Sequence, residues 1–273
     1  MGHRSVSRFL PSPAGVVVAN DFRSVWTSIL LDGFRSRVFV VHGKWQLSSL
    51  RAKILRLFGI RTYCVNRALV ELALSLGIRR VKVLPLGPGD APPEEIRSEI
   101  CESSSPRHLV FGTVARLDKI KRLELFVQVV NELGSQGIIV CPPARNPEQQ
   151  ALLSNLCDRE GITVHSDGNA SKMWYAANIF LSTSLDESLG LAHLEALQRG
   201  IPVLTTAHQG PTDFMKGILS IGLLPQAPSQ ITSAVQEALD QIMSHREEYY
   251  ASAINVTIGR GPEACATAIL EQL

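Results

Sequence analysis

The chain has 273 residues, 45% hydrophobic and 19% charged, which is apolar enough for one large domain or two modest ones and excludes a disordered chain. Its five cysteines (Cys64, Cys101, Cys141, Cys157, Cys265) are scattered, with no C-x-x-C pair and no histidine at ligand spacing, which argues against a disulfide framework or a zinc site and fits a reducing cytoplasm. The net charge of +2 is unevenly spread: residues 1–82 hold 14 lysines and arginines against three acids, a balance of +11, and the remainder holds 13 against 22, a balance of −9.

The polar and basic start, Met1 to Arg8, is followed by Pro11 and Pro13 and makes a poor signal peptide, and no apolar run is long enough to cross a bilayer. Val6 stands where N-myristoylation needs serine or threonine. Short apolar runs then read as buried strands at Val16–Ala19, Val38–Val41 and Arg80–Leu84, with helical patterns near Val25–Leu31, Gln46–Phe58 and Ala68–Leu76. In the Gln46–Phe58 pattern, Leu47, Leu50, Ile54, Leu57 and Phe58 share one face of a helical wheel, with Lys53 and Arg56 opposite and Arg51 at the border. Such a face is expected to pack on its own sheet, with contact to an anionic membrane surface as a second role.

After Gly87 the composition changes to Gly-Pro-Gly-Asp-Ala-Pro-Pro and a charged stretch that ends at Ser103-Ser104-Ser105-Pro106, a linker. Beyond it strands are expected at Leu109–Val114, Gly137–Val140, Ile162–Val164, Ile179–Leu181 and Pro202–Thr205. Helices are expected near Arg122–Leu133, Pro147–Arg159, Ser171–Ala177, Leu191–Gln198 and Pro228–Met243. Alternation of short strands and helices predicts α/β architecture with parallel sheets covered on both faces. The boundaries follow: a first unit over 1–90, a linker over 91–106, a full doubly wound domain over 107–255 and a C-terminal helix over 256–273. The first unit, at about 90 residues, is short beside the ~150 of a typical domain.

Chemistry concentrates between Phe180 and Asp213. A strand ends at Ser184, a tight loop carries Glu187, Gly190-Leu191 opens a helix with Glu195 on it, and Gly200 closes that helix before Pro202. In open α/β sheets ligands bind outside the carboxyl ends of the strands. The unpaired N–H groups of a helix start attract phosphate, and an acid in that helix can reach a ribose diol. Glu187 in a loop could instead cap the next helix, and Glu195 could be a solvated acid.

The pattern S-x-x-E-x-x-G-L-x-x-x-E-A-x-x-x-G-x-P-V, from Ser184 through Glu187, Gly190, Leu191, Glu195, Ala196, Gly200, Pro202 and Val203, resembles the retaining GT-B-fold glycosyltransferases of the E-x7-E type, glycosyltransferase family 4. Val114-Ala115-Arg116-Leu117 with Lys121 resembles the family's G-R-L-x-x-x-K segment, with Ala115 in place of glycine. Gly168, Tyr175 to Asn178 and Ser182 to Ser184 resemble its base-side loop and following helix. Gly210 and Asp213 resemble its G-G-x-x-E, with aspartate for glutamate, and Ile221-Gly222-Leu223-Leu224 its next strand. In the first unit Val40-Val41-His42 resembles a strand that ends in a sugar-contacting histidine. Val83-Leu84-Pro85-Leu86-Gly87 resembles its v-i-P-N-G with Leu86 for asparagine, and the acid that closes that motif is displaced to Asp90.

The resemblance implies a GT-B fold of two Rossmann-like units, the N-terminal one incomplete, with a nucleotide-diphosphate sugar of the UDP or GDP type bound in the cleft between them. Arg116, Lys121 and the N–H groups of Ser188, Leu189, Gly190 and Leu191 would hold the diphosphate and Glu195 the ribose. Glu187 and His42 would be catalytic, Glu187 orienting the donor sugar. It implies transfer with retention, no metal and no other cofactor, and a glycan or lipid-linked acceptor in polysaccharide or glycolipid synthesis. The location would be the cytoplasm, peripherally at the inner face of the membrane, with no role for nucleic acid. The alternatives are a non-catalytic nucleotide-sugar-binding subunit, or a fragment that needs a partner chain to complete the N-terminal unit, and a further one is another sugar-nucleotide enzyme such as an epimerase. His193, inside the motif, and His208 carry no implied role.

Overall fold

The computed structural model describes residues 16–31, 36–89, 109–206, 209–215 and 222–271. The linker over 91–106, Asp90, His208, Ile221, Cys101 and the chain start lie outside the described residues. The contacts divide the chain into two compact units, one of residues 1–84 with 268–273 and one of residues 85–267.

In the first unit four strands, β1 (Val17–Ala19), β2 (Arg37–Val41), β3 (Arg61–Cys64) and β4 (Val81–Val83), form a parallel sheet in the order β1-β2-β3-β4. Each crossover steps one strand further in the same direction. The helices that make them are α1 (Phe22–Leu31), α2 (Ser49–Leu57) and α3 (Arg67–Ser75). Successive strand residues point to opposite faces, and Val38 to Val41 and Thr62 to Cys64 are all buried, so both faces of this sheet are covered. Strand β3 is an addition to the expected elements: Thr62, Tyr63 and Cys64 are all buried, yet Arg-Thr-Tyr-Cys has no aliphatic run to announce a strand.

The helix expected from Gln46 begins three residues later. Gln46 is drawn into a 3-10 turn, Lys44–Gln46, where its side-chain oxygen accepts from the His42 and Gly43 N–H groups and its amide donates to the Asn20 carbonyl at 2.8 Å. The Ser48 hydroxyl then caps α2 by accepting from the Arg51 N–H, a role that suits serine at a helix start. The packing expectation for this segment holds only in part: of the expected face, Leu47 is buried and Ile54 half-buried. Ala52 and Leu55 face the interior, and Leu50, Leu57 and Phe58 are exposed.

The second unit holds a five-stranded parallel sheet of β5 (Val110–Val114), β6 (Gln136–Val140), β7 (Ile162–His165), β8 (Ile179–Ser182) and β9 (Val203–Thr205), in the order β7-β6-β5-β8-β9. The chain runs outward from β5 to β7 through α4 (Leu123–Glu132) and α5 (Pro147–Cys157). It returns through α6 (Ser171–Ala176) to β8 on the other side of β5, and continues through α7 (Leu191–Gln198) to β9. The winding therefore reverses between β5 and β8, the topological switch point at which open α/β sheets take their ligands. Buried Phe111, Ile139, Val140, Phe180, Leu181 and Val203 make the strands apolar on both sides, as parallel sheets require.

Four helices beyond the sheet complete the described chain: α8 (Thr212–Met215), α9 (Pro228–Ser244), α10 (Arg246–Thr257) and α11 (Pro262–Leu270). The fully buried Tyr249 of α10 fixes β9 by accepting from the Val203 N–H at 2.9 Å. No described helix is long and apolar enough to cross a membrane.

Candidate functional site at the switch point of the second sheet

Three loops leave the carboxyl ends of β5, β8 and β9 at the switch point, and a buried polar network joins them. The Leu185 N–H donates to the Ile120 carbonyl at 2.9 Å. The Thr183 hydroxyl lies 3.0 and 2.9 Å from the carbonyls of Lys121 and Arg122, and the Thr206 hydroxyl donates to the Ser184 carbonyl at 2.8 Å. Ser182, Thr183, Ser184, Thr205 and Thr206 are all buried. Short hydroxyl side chains suit this place because they satisfy backbone groups that water cannot reach.

Arg122 is the clamp of the network. Its guanidinium donates to the Thr183 carbonyl at 2.6 Å, the Thr206 hydroxyl at 2.8 Å and the Gln226 carbonyl at 3.0 Å. It is the single non-glycine residue with positive φ among the described residues, at 49°. A left-handed arginine costs on the order of 1 kcal/mol or more, and three charge-assisted bonds outweigh that. Arg122 is not among the site residues expected from the sequence. The signal for it, a basic residue between a loop and an apolar helical run, is too common to single it out.

The ion pair at the centre joins two of the expected site residues. Lys121 Nζ lies 2.6 Å from Glu187 Oε1, both side chains largely buried, and the Ser184 hydroxyl donates to the same oxygen at 3.0 Å. Burial works to raise the Glu187 carboxyl, but the charges and hydrogen bonds around it outweigh that and hold it below the ordinary carboxylate value. His193 is fully buried behind the pair, and burial pushes its imidazole down to about 4. At neutral pH it is therefore uncharged, and Lys121 is the standing counter-charge of Glu187. His193 Nε2 lies 3.0 Å from the Thr205 hydroxyl, its Nδ1 has no hydrogen-bond partner, and its ring packs against Phe180 at 5.3 Å between centroids.

Gly190 and Gly210 shape the loop that carries Glu187. Gly190 turns the chain into α7 at φ 82°, and a Cβ there would lie 2.8 Å from His193 Nδ1. Gly210, at φ 73°, is pressed on the backbone of the same loop: a Cβ there would lie 2.5 Å from the Glu187 carbonyl oxygen and 2.7 Å from that of Ser188. Neither position tolerates a side chain without moving the loop. The N–H groups of Leu189, Gly190 and Leu191 have no acceptor among the described residues, which leaves the start of α7 able to receive an anion.

The remaining expected residues are placed differently. Arg116 is exposed and stands 3.8 Å from Asp118, apart from the buried pair. Glu195 is half-buried on α7, one helical turn beyond Leu191. His42 belongs to the first unit, at the carboxyl end of β2, where its Nε2 lies 3.5 Å from Asn20 Oδ1 and burial lowers its pKa.

Residues 108–241 match the model of the family described as Glycosyl transferases group 1. No curated protein sequence matches the chain. Among solved structures it is similar to sucrose-phosphate synthase from Thermosynechococcus elongatus, with 17% identity over 94% of this chain and 72% of that one and a TM-score of 0.68. Anabaena HepE in complex with UDP and glucose gives 15% identity over 94% and 77% of the two chains and a TM-score of 0.66. The lipopolysaccharide outer core galactosyltransferase WaaB gives 16% identity over 94% and 75% and a TM-score of 0.68. The α/β fold with two parallel sheets thus matches that of these GT-B glycosyltransferase structures.

Proposed function

We propose that the second unit binds a nucleotide-diphosphate sugar at its switch point, and that the protein transfers the sugar with retention of anomeric configuration to a glycan or lipid-linked acceptor in polysaccharide or glycolipid synthesis. One observation carries this reading: the buried Lys121–Glu187 pair stands between the loops of β5 and β8, where a doubly wound sheet takes its ligand. The match of residues 108–241 to glycosyl transferases group 1 supports it.

In this reading the start of α7, from Ser188 to Leu191, receives the diphosphate on its N–H groups. Lys121 supplies fixed positive charge beside it, and the exposed Arg116 swings in as a second cation. Together they stabilise the charge that gathers on the departing nucleotide, so the reaction needs no metal. Glu187, held ionised and oriented by Lys121 and Ser184, accepts hydrogen bonds from the hydroxyls of the donor sugar. Glu195 holds the ribose, and His42 is assigned to the sugar side of the reaction. The acceptor attacks from the face that the nucleotide leaves, with the phosphate helping to take its proton. Unlike a glycosidase, this scheme needs no carboxylate pair flanking the bond. A UDP-type donor is favoured by analogy with HepE, whose structure contains UDP and glucose.

The experiment is a panel of UDP-, GDP- and ADP-sugars, assayed for binding by calorimetry and for transfer and hydrolysis by nucleotide release. The expected result is binding of one of them with turnover, and a loss of about 10²–10³ in turnover for Glu187→Ala and Glu187→Gln with an unchanged circular dichroism spectrum. Binding without turnover would assign the chain to a binding subunit that works with a partner chain. Full activity in both Glu187 variants would end the proposal for that residue.

A further inference from the structure

Helix α2 presents to solvent what the sequence pattern expects to be buried. Leu50 is 69% exposed and Leu57 79%, with half-buried Ile54 between them on the same stripe and exposed Phe58 at its end. Trp45, 73% exposed, stands just before the helix on the turn that Gln46 clamps, and its carbonyl accepts from Arg51 Nη1 at 2.8 Å. An apolar stripe of this size on a surface helix marks a contact site.

The charges around it decide what it contacts. Arg51 borders the stripe, and Lys53, one helical turn from Leu57, stands beside it rather than opposite it, the place expected from the sequence. Lys44 precedes it, and no acidic residue occurs between Asp32 and Glu71, a stretch that holds eight lysines and arginines. At the C-terminal end of α2 lies a cavity of about 450 Å³ lined by Leu55, Arg56, Gly59, Gly77, Arg79 and Arg80. The Arg56 guanidinium lies over Gly77, where a Cβ would come within 2.6 Å of Nη1. None of the three guanidinium groups has a hydrogen-bond or ion-pair partner among the described residues. Three arginines with no carboxylate in the cavity wall make a receptor for phosphate oxygens.

We infer that α2 lies in the surface of an anionic bilayer, with Trp45, Leu50 and Leu57 in the acyl boundary and Arg56, Arg79 and Arg80 on lipid phosphates. The apolar stripe, the interfacial tryptophan and the basic rim are the features of a helix that lies in the plane of a membrane. The inference concerns the first unit alone and stands whether or not the donor reading of the second is correct. Donor binding is measured without lipid.

The test is co-sedimentation with vesicles of phosphatidylcholine alone and of phosphatidylcholine mixed with phosphatidylglycerol. The chain is expected to pellet with the anionic vesicles and to remain in solution with the neutral ones. Leu50→Ser with Leu57→Ser changes exposed residues, so it leaves the fold unchanged, and it is expected to lower partition at least about tenfold. Arg56→Ala with Arg79→Ala removes two charges at the cavity and Lys44→Ala with Lys53→Ala removes two outside it. Each charge is worth about fivefold, and the arginine pair is expected to lose more than the lysine pair. Equal losses would remove the phosphate cavity from the proposal. Equal pelleting with neutral and anionic vesicles, or no effect of the leucine pair, would overturn it as a whole. So would light scattering that shows a dimer which the leucine pair dissociates, since the stripe would then be an interface between copies.

Discussion

The two units use the same strand-helix alternation and arrive at different surfaces. In the second, the winding reverses between β5 and β8, where buried hydroxyls, Arg122 and the Lys121–Glu187 pair tie the diverging loops together. In the first, every described crossover steps the same way, no switch point of that kind occurs among its described strands, and the unusual features are the exposed leucines and arginines of α2. The contrast shows where each kind of chemistry resides. Reversed winding concentrates buried polar groups at one point, where their charge states are fixed by neighbours. One-way winding leaves recognition to the outer sides of the helices, where charge and apolar area act through solvent.

The sharpest way to break this contrast is to add one methyl group at the loops of the switch point. Gly210→Ala puts a Cβ against the carbonyls of Glu187 and Ser188, which must move with the loop. A displacement of this size costs about a hundredfold in function, so donor affinity by calorimetry is expected to fall by that order. An alanine variant with unaltered affinity would show that the loop is not held as described.

A somewhat smaller effect tests the buried polar character of the second unit. His193 has a folded pKa of about 4 against 6.5 for the free side chain. The folded state therefore binds fewer protons than the unfolded state between these values, and stability rises with pH across that window and falls as pH drops through it. From pH 7 to pH 5 this group is expected to remove on the order of 2 kcal/mol from the free energy of unfolding measured in urea. In His193→Asn that part of the pH dependence should disappear. Glu187, with its pKa lowered, adds its own loss only as pH falls further, through its folded value.

The smallest expected effect sharpens the other side of the comparison. Leu57→Ser lies on the exposed stripe and should change the unfolding free energy by no more than about 0.5 kcal/mol. The same substitution at the buried Leu197 of α7 would cost several times that. A large loss at Leu57 would mean that the stripe packs on protein after all.

Much of the second unit was legible from the chain. Its strands are aliphatic runs buried on both faces, and α7 reads from Leu191 to Gln198 because Gly190 and Gly200 bracket it. The first unit was less so. Strand β3 escaped because its buried positions, on both faces, are threonine, tyrosine and cysteine. The start of α2 was misplaced because Gln46 has good helix propensity, and only its three side-chain hydrogen bonds, one of them to Asn20 in another loop, reveal that it serves the turn after β2. The outward turn of Leu50 and Leu57 could not be read at all, since a helical wheel shows that residues share a face and does not show which way that face points.

The site divides in the same manner. Local order along the chain determined that Glu187 would sit in a tight loop, that Gly190 would open a helix and that Lys121 would follow the first strand of its domain, because each depends on neighbours within a few residues. Only the tertiary structure decided that Lys121 and Glu187, 66 positions apart, would pair, that Arg122 would adopt a left-handed conformation to bind three loops, and that Arg116 would be left in solvent. Those outcomes depend on the reversal of the sheet between β5 and β8, which brings distant loops within hydrogen-bond reach and has no counterpart in any short stretch of sequence.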